Sequence, residues 1–178
     1  MKKPKLVVKV QVGDYTLEST WKKTPRQFKK AMLQYLDIPT ENLEAWWEDL
    51  TKYQQASLCR NKKVPIILIE SKWNTLNETT KDVVISHKRV DQEFLKQNFL
   101  SLTLHQQYLA LIGYKLEKSF LLENWRHLTT EIKRTALVYQ DLRETLTLEE
   151  LPMLLADSDN SVRLTAANLF KDKTKRIV

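Results

Sequence analysis

Cys59, His87, His105 and His127 carry the most reactive groups of this chain, a thiol and three imidazoles that could supply a nucleophile with its base or part of a metal site. Their spacing argues against both uses. The histidines fall at three different phases of a repeat described below, and none has a second ligand three or four residues away on a shared helix face. Cys59 stands in an apolar column where a thiolate would be costly, so it reads as a core thiol. With Gly13 and Gly113 as the only glycines, no glycine-rich loop can cradle phosphate. Glu149 and Glu150 read with Thr147 as a capping box, and Asp157 with Asp159 as an Asp-rich turn. No catalysis, cofactor or metal is expected.

What remains is recognition chemistry. Trp46 and Trp47 lie side by side in NLEAWWEDLT, and neighbours on a helix are about 100° apart, so a narrow apolar stripe seldom takes both. Positive charge is the second resource. The formal net charge is +7, and residues 1–30 hold nine Lys or Arg against Asp14 and Glu18, while residues 31–178 hold twenty of each sign. Lys22, Lys23, Arg26, Lys29 and Lys30 therefore belong to a basic N-terminal segment attached to a body that is no general polyanion binder by charge alone.

The elements that position these residues follow from composition and period. A chain of 178 residues that is 42% hydrophobic and 29% charged suits one compact domain or a short repeat array, and 2 Gly with 5 Pro favour long helical segments. No apolar run approaches the roughly 20 residues of a membrane span, Lys9 and Gln11 interrupt any signal-like start, and a lone Cys fits a reducing compartment, so a cytoplasmic protein is expected.

A period of 26 residues runs through the sequence. Trp21, Trp47, Trp73, Phe99, Trp125 and Leu151 form one column, and Leu50, Leu76, Leu102, Leu128 and Leu154 form another three positions later. Met32, Leu58, Val84, Ala110, Ala136 and Val162 repeat likewise, as do Leu33, Cys59, Ile85, Leu111 and Leu137. Ile38, Val64, Val90, Leu116 and Leu142, and Leu43, Ile69, Leu95 and Leu121, complete the pattern. The units are 21–46, 47–72, 73–98, 99–124 and 125–150, with a partial sixth. In the last four full units, Thr51, Asn77, Thr103 and Thr129 sit where a helix N-cap belongs, and Gln54 and Gln106 complete capping boxes. A helix of about ten residues, a short turn and a second helix entered by Pro65 at its first position make the unit. Two such helices cannot bury their apolar faces alone, so the reading is mainly α: an α-solenoid over residues 21–172.

The segment LADSDNSVRLTAANL, Leu155 to Leu169, resembles the helical repeats of the HEAT-like and leucine-rich-repeat-variant group. LCRNKKVP and VISHKRVD, from Leu58 and Val84, are similar to the later part of such a unit, and the resemblance covers about residues 21–172. It implies a stacked helical array with extended binding surfaces. The iron–sulfur module of some variant-repeat proteins needs a Cys cluster, which one cysteine cannot supply. An enzyme reading would rest only on fold analogy to HEAT-like DNA glycosylases.

Residues 1–20 differ in kind. Leu6, Val8, Val10 and Val12 alternate with their neighbours, Gly13-Asp14 supplies a turn, and Tyr15, Leu17 and Ser19 resume the alternation, so a basic β-hairpin is expected. It either caps the first helices or pairs its open edge with another chain. Residues 173–178 form a basic tail.

Two surfaces follow. The column Thr20, Trp46, Lys72, Asn98, Asn124 and Glu150 is polar except for Trp46, so Trp46 either packs on the hairpin or is offered to a partner with Lys72, Asn98 and Asn124 as a polar rim. The turns place Lys62 and Lys88 in one column and Lys63, Arg89 and Lys115 in the next, a basic ladder that would follow a phosphate backbone or merely solvate the turns. The expected function is a non-catalytic module or complex subunit that binds a protein, with nucleic-acid binding as the alternative and no membrane partner.

Overall fold

Helices begin at Lys52, Glu78, Leu104 and Thr130, 26 residues apart, because the same punctuation precedes each. The side-chain oxygens of Thr51, Asn77, Thr103 and Thr129 accept the N–H of the third residue on, satisfying a donor that a helix start leaves open. Gln54 and Gln106 return the bond to Thr51 and Thr103, completing both capping boxes. The computed structural model describes residues 7–12, 15–20, 33–35, 40, 43–44, 47–140, 142, 146–147 and 149–174, and over these the protein is mainly helical. The chain divides into two units, Met1–Val90 and Asp91–Val178. That boundary falls inside the unit 73–98, between its two helices.

In the first unit, β1 (Val7–Val12) pairs antiparallel with β2 (Tyr15–Thr20), Val7 opposite Thr20 and Val12 opposite Tyr15. Then come α1 (Lys52–Cys59), α2 (Ile66–Ser71) and α3 (Glu78–Ser86), with α1 packed on α3. Pro65 is the residue before α2, with ψ at 136°, and not its first helical residue. Its φ of −60° still sets the chain's entry.

The second unit holds α4 (Gln92–Asn98), α5 (Leu104–Gly113), α6 (Lys118–Glu123), α7 (Thr130–Tyr139), α8 (Leu151–Leu155) and α9 (Asn160–Thr174). Helix α7 packs on α5 and on α9, and α9 also holds α8. Because α9 runs to Thr174, the first two residues of the expected tail are helical.

Single 3-10 turns at Trp47–Asp49, Trp73–Thr75, Phe99–Ser101 and Trp125–His127 explain why the aromatic and leucine columns stand three apart. Each is closed by the N–H of Leu50, Leu76, Leu102 or Leu128 donating to the aromatic residue's carbonyl at 3.2 Å. Positions i and i+3 of a 3-10 turn eclipse, so both side chains enter the core. All eight are buried, as are Leu58, Val84, Ala110, Ala136 and Val162, and Cys59, Ile85, Leu111 and Leu137. Leu151 departs from its column: it opens α8 and is half-buried.

Candidate partner-binding surface

Trp46 lies outside the described residues, and so do Lys22, Lys23, Arg26, Lys29 and Lys30. Of the rim expected around Trp46, Lys72 is half-buried and stands 3.8 Å from the Glu48 carboxylate, a loose pair of small energetic weight. Asn98 and Asn124 have backbone work to do. Each is half-buried and donates its side-chain amide at 2.8 Å to the carbonyl four residues back, Phe94 or Phe120, where a helix passes into a 3-10 turn. This polar column is thus partly consumed in holding the repeat's bend.

The basic ladder needs a larger correction. Lys62, Lys63, Lys88 and Lys115 are exposed, but Arg89 is buried. Its Nε donates to the Cys59 carbonyl at 3.2 Å, and its Nη2 donates to the carbonyls of Asn61, at 2.9 Å, and Val64. A guanidinium so occupied is a plug in the preceding turn and is not available to a phosphate. Asn61 acts likewise on a smaller scale, donating to the Leu33 carbonyl at 3.0 Å. In the second unit Gln140 has the same job, donating to the carbonyls of Tyr114, at 2.8 Å, and Leu111 and accepting the Leu116 N–H at 2.8 Å. Burial of a turn's open carbonyls requires such partners.

The reactive side chains are committed too. Burial pushes the Cys59 thiol up to about 12 against the opposing pull of Arg89 and Arg60, so it is no thiolate at neutral pH. His87, His105 and His127 are exposed on separate elements, and among the described residues no three His, Cys, Asp or Glu side chains gather as a metal site. Asp157 is buried, with one oxygen accepting Trp125 Nε1 at 2.9 Å and Lys133 Nζ at 2.8 Å and the other the Asp159 N–H at 3.0 Å. Burial alone would raise this carboxyl, but the bonds from Lys133, Asp159 and Trp125 overcome it and hold it below the ordinary range. Lys133 also stands 5.8 Å from the centre of the Trp125 ring. A carboxylate filled on both oxygens ties α7, the turn between α8 and α9, and the Trp125 turn together. Glu150 accepts the Thr147 N–H at 2.8 Å, the half of the expected capping box that the Glu supplies, and pairs with Lys118 at 2.8 Å.

An exposed apolar row is the feature that sequence reading missed. Ile112 on α5, Val138 on α7 and Leu164 on α9 are 26 residues apart, on helices packed in that order, and are 45%, 61% and 56% exposed. Along α5, Leu104 and Tyr108 precede Ile112 by eight and four residues and are exposed on the same face. Single exposed aliphatics are ordinary, whereas four with a tyrosine beside them on packed helices make a patch. The signal was available: this column reads Arg60, Ser86, Ile112, Val138, Leu164, changing from polar to apolar outside the core phases. Among the described residues no helix is long and apolar enough to cross a membrane, so the patch is not part of a helical span. No protein-family model, curated protein or solved structure matches the chain.

Proposed function

We propose that the chain is an α-solenoid of HEAT-like repeats, capped by its N-terminal strands, that works without catalysis as a protein-binding module or complex subunit in the cytoplasm. Its partner seats on the face of α5, α7 and α9 that carries Ile112, Val138 and Leu164. The observation that carries this reading is the row itself, since aliphatic side chains 45–61% exposed at one phase of three helices packed in series are stable only at a cost in solvation that a partner would relieve. Tyr108, 40% exposed beside the row, supplies the aromatic with a polar tip that interface centres favour. Stacked repeats support the reading, because such arrays build extended surfaces from side chains of equal phase.

The test compares immobilised parent protein with the variant Ile112→Glu/Val138→Glu/Leu164→Glu in capture from native lysate treated with nuclease. The variant is expected to melt within about 1 kcal/mol of the parent, as exposed substitutions do, and to lose specific captured proteins. Retention of the same set by a folded variant would remove this surface from the reading.

A further inference from the structure

The first unit has a second surface, independent of the apolar row. Helix α3 ends with Lys88 at φ 54°, in the left-handed region that favours glycine. The Lys88 N–H donates to the Ile85 carbonyl at 3.0 Å and the Arg89 N–H to that of Val84 at 2.8 Å, the bonding of a Schellman end. This reversal leaves Lys88 in solvent and sends Arg89 inward. Arg89 then clips its own turn to the one after α1, through the carbonyls of Cys59, Asn61 and Val64. The clip places Lys88 beside the turn that carries the exposed Lys62 and Lys63 and the half-buried Arg60. Residues 60–64 and 86–90 contain no Asp or Glu.

We propose that this clipped pair of turns is a sequence-independent site for the phosphate backbone of duplex nucleic acid, with Lys62, Lys63 and Lys88 contacting phosphates. Three observations point there. Exposed lysines on two turns held together by a buried side chain present positive charge from two fixed anchor points, which suits a repeating line of phosphates. Neither turn contains Trp, Tyr or Phe, the large rings on which single-strand sites stack successive unpaired bases, and His87 offers only one small imidazole. Long-range attraction for a polyanion comes from residues 1–30, with nine Lys or Arg against Asp14 and Glu18, whereas residues 31–90 hold eight of each sign, so the turns add local contacts to a field set by the N-terminal segment.

The experiment measures fluorescence anisotropy of a labelled mixed-sequence DNA duplex of about 20 base pairs, titrated with the full chain at salt from about 50 to 200 mM. Reversal by Lys62→Glu/Lys63→Glu/Lys88→Glu is expected to lower the slope of log affinity against log salt by about three, near 0.9 for each phosphate that is no longer neutralised. Lys88→Gly, which suits the backbone at that position, isolates one charge and should lower the slope by about one. The replacement Lys62→Arg/Lys63→Arg/Lys88→Arg should keep the parent slope. The proposal is overturned if the folded Glu variant binds with the parent's slope and affinity. It is equally overturned if an equal-length single strand binds more tightly than the duplex, or if reversing Lys22, Lys23, Lys29 and Lys30 alone abolishes all binding.

Discussion

At the repeat phase where the first unit carries Arg60 and Ser86, the second carries Ile112, Val138 and Leu164. One period therefore builds two different exteriors. The formal charge of +7 resides in residues 1–90, and the second unit, formally neutral, exposes aliphatic side chains at this phase, whereas the first exposes Ile67 at a different phase. Inward phases show no such divergence, since Leu58, Val84, Ala110, Ala136 and Val162 are all fully buried in one column. A repeat constrains only what its neighbours must pack against, so the core phases report the fold and the outward phases report the use. The turn plugs lie between these extremes. Arg89 and Gln140 perform the same task with different chemistry, because any long donor serves where open carbonyls need one.

The largest expected effect tests whether the aromatic column is equally structural in both units. Trp73→Ala and Trp125→Ala should each cost about 3–5 kcal/mol in denaturant unfolding, as losses of buried aromatics do. Replacement by Phe should separate Trp125 from Trp47. Trp125 Nε1 donates to Asp157, so Trp125→Phe orphans part of a buried carboxylate, whereas among the described residues the buried Trp47 Nε1 has no hydrogen-bond partner and Trp47→Phe loses no bond to them. Equal costs for the two Phe variants would break this distinction.

Next come the plugs. Arg89→Met leaves the carbonyls of Cys59, Asn61 and Val64 without its donors and should cost about 3 kcal/mol. Gln140→Leu removes donors from two carbonyls and an acceptor from the Leu116 N–H, for about 2 kcal/mol. If Arg89→Met were as stable as the parent, Arg89 could be restored to the exposed ladder from which its burial removes it.

How much of this was legible depends on what each residue faces. The buried columns were, down to the caps at Thr51 and Thr103, because packing and capping impose a pattern that survives translation along the chain. Arg89 was not. It shares a phase with Lys63 and Lys115, and only the left-handed step at Lys88, which no glycine announces, turns it inward. Asn98 and Asn124 looked like solvent-facing polar residues, yet each donates back to a carbonyl of the helix it ends. The apolar row was visible as a column whose character changes, but periodicity directs attention to columns that keep theirs. Trp46 lies outside the described residues, and its role is open to the unfolding test on Trp46→Ala: a large loss would place it in packing, and a small one would leave it for a partner.

A pH experiment reaches the second unit alone. A carboxylate whose folded pKa lies below its unfolded value contributes stability that is complete well above about pH 4 and disappears as pH falls through the folded value. Asp157, held low by Lys133, the Asp159 N–H and Trp125 against the opposing effect of burial, should behave so. Asp157→Asn is expected to destabilise the protein at neutral pH and to shrink the loss of melting temperature between neutral pH and about pH 3. An unchanged acid limb would mean that other carboxylates dominate it.

The smallest effect has the opposite sign. Lys88 occupies a left-handed conformation at φ 54°, which costs a residue with a Cβ roughly 1–2 kcal/mol relative to the helical region. Glycine adopts it freely, though it gains entropy in the unfolded chain, so Lys88→Gly should stabilise the first unit by a net amount of about 0.5–1 kcal/mol. The corresponding turn in the second unit provides the control, because Tyr114 is extended there, with φ −116° and ψ 148°. Tyr114→Gly relieves nothing and should only destabilise. The pair of substitutions thus asks whether the strained step is peculiar to the turn that sends Arg89 inward and leaves Lys88 outside. A Lys88→Gly variant that unfolds earlier than its parent would show that the lysine side chain itself, and not the backbone reversal, holds the two basic turns together.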